Sequence, residues 1–381
     1  MKKLLLLTLC VATSSAFATR TRLRSLSQDA NGSYYLMDTR NMFLNPAQIS
    51  NIKDHMNFEW GKSERPGTNG TVPEAEGGFA MNLGPGKLGV QLGRVTEFNQ
   101  LIREINANLT DVTTNVMGGT MGEGQNNVDI MYGGGGNLKW GGGMAITRSK
   151  TATGNPSRGK EEMVQNVELR GGVATEKFEA FGSLLVGGQN QTDMTTTTAK
   201  FDETIGIRAG GGVSLNNEFR LFGHAGYDKF KASRSNNSVD YDGTRVNVVA
   251  GAAYVRSLEN NARSFASSEL TYLDVKATDS KGLPDEKYNA FAMPVILGVE
   301  ADANAWARLR TSVRQNFLIG STKTTTGNTA DDVNYWENSP NNTAVSFGAG
   351  VSLNKFNFDA ALVKSLTDNV DRAEASMTYL F

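Results

Sequence analysis

The chain has 381 residues, with 38 Lys and Arg against 39 Asp and Glu and a formal net charge of −1. So even a balance gives no electrostatic reason for a nucleic-acid partner, and the single cysteine, Cys10, lies among the first eighteen residues. The rest of the chain can form no disulfide, thiolate metal site or thiol nucleophile. No stretch past the first eighteen approaches the ~20 apolar residues of a spanning helix, so a membrane protein of this composition has to cross as strands.

In chain order, the first element is an export signal. Lys2 and Lys3 form a charged start, residues 4–12 an apolar core, and Ala16-Phe17-Ala18 a small-x-small cleavage site. Cleavage is expected after Ala18, leaving 363 residues. A lipoprotein starting at Cys10 is the rival; Leu9 stands where that processing wants a small residue, and the apolar core would be cut short.

Residues 19–54 do not alternate. They carry Arg20, Arg22 and Arg24, then Tyr34-Tyr35-Leu36, then Met42-Phe43-Leu44-Asn45-Pro46-Ala47. Read from the residues, Asn-Pro initiates a turn. The run also resembles the Asn-Pro-Ala element of the FadL-type long-chain fatty-acid transporters, over about 20 residues. The resemblance implies that Asn45, Pro46 and Ala47 belong to a hatch inside a barrel that takes up hydrophobic compounds. The chain departs from that family in its strand count and in lacking an evident apolar pocket signature. Both a periplasmic segment and a plug stay open for residues 19–54.

From residue 55 to 381 the chain repeats strand, short turn, strand, long polar loop. The pattern predicts strands at 55–61, 76–83, 87–95, 126–133, 137–147, 163–174, 177–188, 203–215, 218–230, 244–257, 263–276, 287–301, 304–318, 343–353, 355–364 and 373–381. In 204–229, Ile205, Ile207, Ala209, Val213 and Leu215 point one way, while Thr204, Arg208, Gly210 and Ser214 point the other. After Asn216-Asn217, Phe219, Leu221, Ala225 and Tyr227 oppose Arg220, His224 and Asp228. Ten-residue alternation fits a tilted transmembrane strand. Connections alternate strictly, short near Pro85, Gly135, Glu176, Asn216, Asn260, Ala303 and Asn354 and long between. The fold expected is all-β: a transmembrane antiparallel up-and-down barrel of about sixteen strands, or fourteen, with short periplasmic turns and long external loops. A soluble sandwich would need larger interlocking residues on its apolar face.

Within loop 96–125, Phe98, Leu101, Ile102, Ile105 and Leu109 fall at helical spacing beside Glu97, Arg103 and Glu104. One apolar stripe on a loop helix must be buried, either against the inner barrel wall or on the loop crown.

The last strand alternates Ala373, Ala375, Met377, Tyr379 and Phe381. It resembles the bacterial outer-membrane β-barrel superfamily, whose final strand commonly ends in an aromatic with another two positions earlier. That implies an exported outer-membrane protein, with Tyr379 and Phe381 in the signal read by the barrel-assembly machinery.

If the apolar set meets lipid, the other lines the lumen. Arg308, Arg310 and Arg314 share one face, with Glu269 and Glu300 on neighbouring strands and Arg208 and Arg220 on earlier ones. Arginine near the membrane midplane costs about 2–4 kcal/mol on the lipid face, which forces these residues inward. They read as a selective eyelet or as a plain solvated wall. The leading expectation is a porin-like channel for passive diffusion of small hydrophilic solutes. FadL-like uptake through a plugged barrel and a structural or adhesive surface protein are the alternatives. The partners expected are outer-membrane lipid, the assembly machinery and small solutes, with homo-oligomerisation left open. With only His55 and His224 as histidine bases and no serine placed beside His224, no catalytic site, cofactor or metal is expected.

Overall fold

In the computed structural model the described residues are 19–62, 73–152, 161–193, 197–235, 240–259, 261–280, 285–324, 330–333, 343–366 and 371–381. The expected leader, 1–18, and the turn residue Asn260 lie outside them. Strands β1 (His55–Lys62) to β13 (Ala307–Thr324) follow one another in antiparallel pairs, and β15 (Thr343–Leu353), β16 (Phe356–Ser365) and β17 (Asp371–Leu380) complete the circuit. Closure comes from β17 pairing with β1, His55 opposite Leu380. Sixteen strands form the wall. The four-residue β14 (Ala330–Val333) only lengthens the sheet beside the end of β13.

Alternation makes this barrel because one face of each strand can be satisfied only by hydrocarbon. Phe58, Trp140, Leu184, Ile207, Leu221, Leu297, Leu309, Phe347 and Leu362 are all exposed on the outer wall. At the short-turn end the belt finishes in aromatic pairs: Tyr132–Trp140 at 5.9 Å, Phe219–Tyr254 at 5.4 Å and Phe356–Tyr379 at 4.9 Å. Toward the long loops it ends at exposed Tyr227, Tyr272 and Phe291. Lys229, Lys276 and Lys287 lie two to four residues further toward the loops on the same strands. Residues 219–227, between the two girdles on β9 (Phe219–Arg234), match the length of a membrane-crossing strand. The wall is therefore that of a closed membrane-spanning β-barrel. No helix among the described residues is long and apolar enough to cross a membrane.

Several strands run further toward the loops than the alternation predicts. The strand expected at 203–215 is β8 (Thr198–Ser214), and the one expected at 304–318 runs from Ala307 to Thr324. Beyond the belt alternation continues with the sides exchanged. On β9 the inward residues Phe230 and Ala232 are fully buried, while Lys229 and Lys231 face outward. The outer surface there meets water rather than lipid, so the apolar side chains turn in. A bulge between Glu203 and Ile205 leaves Thr204 exposed beside Ile205, correcting its expected inward position. The extra residue shifts the register by one and so flips the faces.

The strand expected at 87–95 stops sooner, as β3 (Gly86–Leu92). Gly93 follows at φ 81°, a conformation an L side chain rarely adopts, and turns the chain into the barrel.

Candidate functional site

The lumen is occupied at two levels. Nearer the short turns lies segment 19–54. Its first helix, α1 (Arg20–Ser25), is capped by Thr19, whose hydroxyl accepts from the Arg22 amide at 3.2 Å. Four guanidiniums of segment 19–54 reach carboxylates on the wall. Arg22, fully buried, makes two 2.8 Å contacts with Glu300 and one of 3.1 Å with Asp38. Arg20 meets Glu76 at 2.7 Å, and Arg40 meets Glu76 at 2.7 Å and Glu59 at 3.2 Å. Arg310 extends the network from the wall, with Glu300 at 2.8 Å and Asp359 at 2.5 Å. Arg24–Glu374 and Arg308–Asp302 contacts join it at the edges. Desolvation offsets much of the attraction in such buried pairs, so their main effect is positional: removing one partner strands the other. Burial pushes the Asp38 carboxyl up to about 7, against the pull of Arg22.

The same segment reaches the opposite wall through aromatic contacts. Tyr34 stacks on Phe222 at 4.8 Å, and its hydroxyl lies 2.9 Å from His224 Nδ1. The Tyr35 ring sits 5.8 Å from both Phe222 and Phe265, and its hydroxyl 2.8 Å from Ser267. Asn45 both starts a turn and holds the wall. Its side-chain oxygen accepts from the Ala47 amide at 3.1 Å, and its NH2 donates to the Val173 carbonyl at 3.1 Å and Glu179 at 3.2 Å. Pro46 opens the 3₁₀ turn Pro46–Asn51, where its missing N–H costs nothing. The approach is so close that a Cβ on Gly172 would collide with the Asn45 side chain.

Toward the long loops the lumen is filled by α2 (Glu97–Asn108), capped by Thr96, whose hydroxyl accepts from the Asn99 amide at 3.3 Å. Its stripe of Phe98, Leu101, Ile102 and Ile105 meets inward Phe201, Phe230, Tyr241 and Val275 in one buried cluster. The helix thus lies against the inner wall rather than on the loop crown. Arg245 ties its polar side to the wall through Glu104 at 2.6 Å and Asp228 at 2.9 Å.

The residues singled out from the sequence occupy the inner wall but do not form one ring. Arg208 pairs with Asp228 at 3.2 Å and Glu97 at 3.4 Å, and Arg220 with Glu179 at 2.5 Å. Glu300, Arg308 and Arg310 sit together by the plug. Arg314 donates to Asn316 at 2.9 Å, and Glu269 is half-buried on β11 (Arg263–Asp279). Tyr379 packs against Phe356, with Phe381 5.9 Å away. His55 is buried with Nδ1 2.9 Å from the Lys53 carbonyl. Sequence reasoning missed the wall carboxylates Glu59, Glu76, Asp129, Asp359 and Glu374. Their signal was a charge recurring on the polar side of strands whose other side is apolar. Among the described residues, no group of three or more His, Cys, Asp or Glu could hold a metal. A concave apolar groove of about 720 Å³ between Val299, Leu309, Phe347 and Leu362 faces the hydrocarbon, not the lumen.

No family model and no curated protein matches the chain. Among solved structures it is similar to a Pseudomonas aeruginosa FadL homologue, at 12% identity and TM-score 0.45, covering 96% of this chain and 99% of that one. It is also similar to the P. putida toluene transporter TodX, at 12% identity and TM-score 0.42, covering 96% and 98%. A third likeness is to CdiB from Acinetobacter baumannii, at 11% identity and TM-score 0.43, covering 86% and 60%. The fold itself rests on the strand pairing described above.

Proposed function

We propose that this chain carries small apolar or amphipathic molecules across the outer membrane through a plugged barrel, in place of open diffusion of hydrophilic solutes. The observation that supports this reading is the exchange of faces in the loop-side half of the wall. A water-filled pore keeps polar side chains inward along its whole length. Here Phe201, Phe230, Tyr241 and Val275 turn inward and are roofed by the stripe of α2. Transferring apolar surface into such a site is worth roughly 25 cal/mol per Å².

In this reading the solute dissolves among these side chains as α2 shifts, and moves on when segment 19–54 yields. Arg310 and Glu300 hold that segment, while Arg208 and Arg220 brace the wall beside Asp228 and Glu179. The wall is lowest where α2 enters, since β3 has 7 residues against 18 in β10 (Asp240–Ser257).

The test is uptake of an apolar fluorescent probe, N-phenyl-1-naphthylamine, by vesicles carrying the purified barrel, with a small sugar as the hydrophilic comparison. The reading expects probe entry well above that of empty vesicles and no sugar entry. Sugar entry at open-pore rates with segment 19–54 intact would refute it.

A further inference from the structure

Beyond the loop-side girdle, three lysines fall into one line across the outer wall. Register sets Lys229 of β9 opposite Thr244 of β10, Thr244 opposite Lys276 of β11, and Lys276 opposite Lys287 of β12 (Glu286–Asp302). Each points away from the lumen, because the residues beside it, Phe230, Val275, Ala277 and Glu286, are fully buried on the inner side. Neighbouring strands lie about 4.8 Å apart, so Lys276 and Lys287 stand side by side, with Lys229 about 10 Å from Lys276.

Like charges directly opposite one another on a sheet face destabilise it, and the nearby carboxylates do little to relieve this pair. Asp285 lies 3.8 Å from Lys276 and Asp274 lies 3.7 Å from Lys287, both beyond hydrogen-bond reach. Lys276 and Asp285 are each about half exposed, where such a contact is worth little. Asp242, two residues from Thr244, stands opposite Lys231 in the next line out. The ammonium protons of the line are therefore left for another acceptor.

The hydrocarbon belt ends just inside this line. Tyr227 lies two residues from Lys229, Tyr272 four from Lys276 and Phe291 four from Lys287, all three rings exposed on the outer wall. Lysine stems lie along apolar surface and set their charged ends in the headgroup layer. An anion that fits this place comes with the membrane. Its charged part meets the ammoniums, and its chains pack on exposed Val248, Leu270, Tyr272 and Phe291.

We propose that Lys229, Lys276 and Lys287 form a binding site for a phosphorylated lipid of the leaflet that the long loops face. A phosphate accepts from Lys276 and Lys287 together, which turns their repulsion into a bridge. Lys229 takes a second phosphate of the same headgroup, with the Thr244 hydroxyl between them as a further donor. Each lysine beside an anionic lipid surface is worth about fivefold in binding, and the three together roughly a hundredfold. The site belongs to the outer wall and does not depend on what the lumen carries.

The test uses the full barrel, purified in an uncharged detergent and offered bisphosphorylated lipid A or its dephosphorylated form, with retained lipid counted by native mass spectrometry. The wild type should retain the phosphorylated form at least tenfold more than the other. Lys229→Gln, Lys276→Gln and Lys287→Gln together should abolish the difference while the barrel keeps its folded gel mobility. Lys53→Gln, Lys177→Gln and Lys355→Gln, at the short-turn end, should leave it unchanged. Inorganic phosphate should displace the lipid no better than sodium chloride of equal ionic strength. Equal retention of the two forms by the wild type, or undiminished preference in the first triple variant, would overturn the site. So would an equal loss in the turn-end variant, which would mean diffuse charge, or selective displacement by inorganic phosphate, which would mean a site for a free anion.

Discussion

Replacing Arg22 with alanine removes the best-connected cation of the plug. Its guanidinium is fully buried and holds Glu300 through two 2.8 Å contacts, Asp38 at 3.1 Å and the Met37 carbonyl at 2.9 Å. Breaking a buried ion pair from one side costs about 3–5 kcal/mol, because the remaining charge is left without its partner. Glu300 keeps Arg310 at 2.8 Å, so the low end applies to it. Asp38 keeps the Arg40 amide at 2.9 Å. A loss of about 3 kcal/mol raises the unseated population roughly a hundredfold. Residues 19–381 contain no cysteine, so Ser25→Cys, a near-isosteric change at a fully buried plug position, gives a unique reporter within them. Its reaction with a maleimide should be slow in the otherwise wild-type barrel and about a hundredfold faster with Arg22→Ala. Equal rates in two barrels of folded gel mobility would refute the idea that the arginine–carboxylate network holds the plug.

Gly172→Val should drive the Asn45 turn off the wall while leaving the strands paired, which raised ion conductance at unchanged heat-modifiable gel migration would report. Ile105→Asp places an unpaired charge in the fully buried α2 cluster, and protease cleavage within loop 96–125 should become fast where it was slow. The Asp38 carboxyl sits at about 7 in the seated plug against an ordinary 3.8. The seated plug therefore binds a proton that the released one gives up. Seating should tighten as pH falls from about 7 toward 4 and change no further below that. Asp38→Asn should remove this dependence from the Ser25→Cys labelling rates.

The wall was legible because its chemistry is local. In β15, outward Phe347 and Leu353 alternate with Ser346 and Ser352, and such alternation gives strand, face and approximate length at once. Legibility stopped where the solvent changed. Beyond Tyr227 the rule linking apolar to outward reverses, so alternation still marks a strand but no longer names its side. The bulge at Glu203 had no visible signature before its partner strand was known. The apolar stripe of α2 was plain, but the surface it meets comes from Phe201, Tyr241 and Val275, which gather only when the barrel closes. The arginines of 19–54 were conspicuous too. Their partners were not: Arg22 and Glu300 lie 278 positions apart, a pairing that no spacing announces.

The lumen is closed by its own N-terminal segment and lined with apolar side chains toward the loops. Single-channel recording in planar bilayers, with the intact chain and with residues 19–52 deleted, tests it most directly. The intact barrel should hold current near the baseline and the deleted one should conduct in large steps. Large steady conductance from the intact protein, unaltered by the deletion, would contradict it.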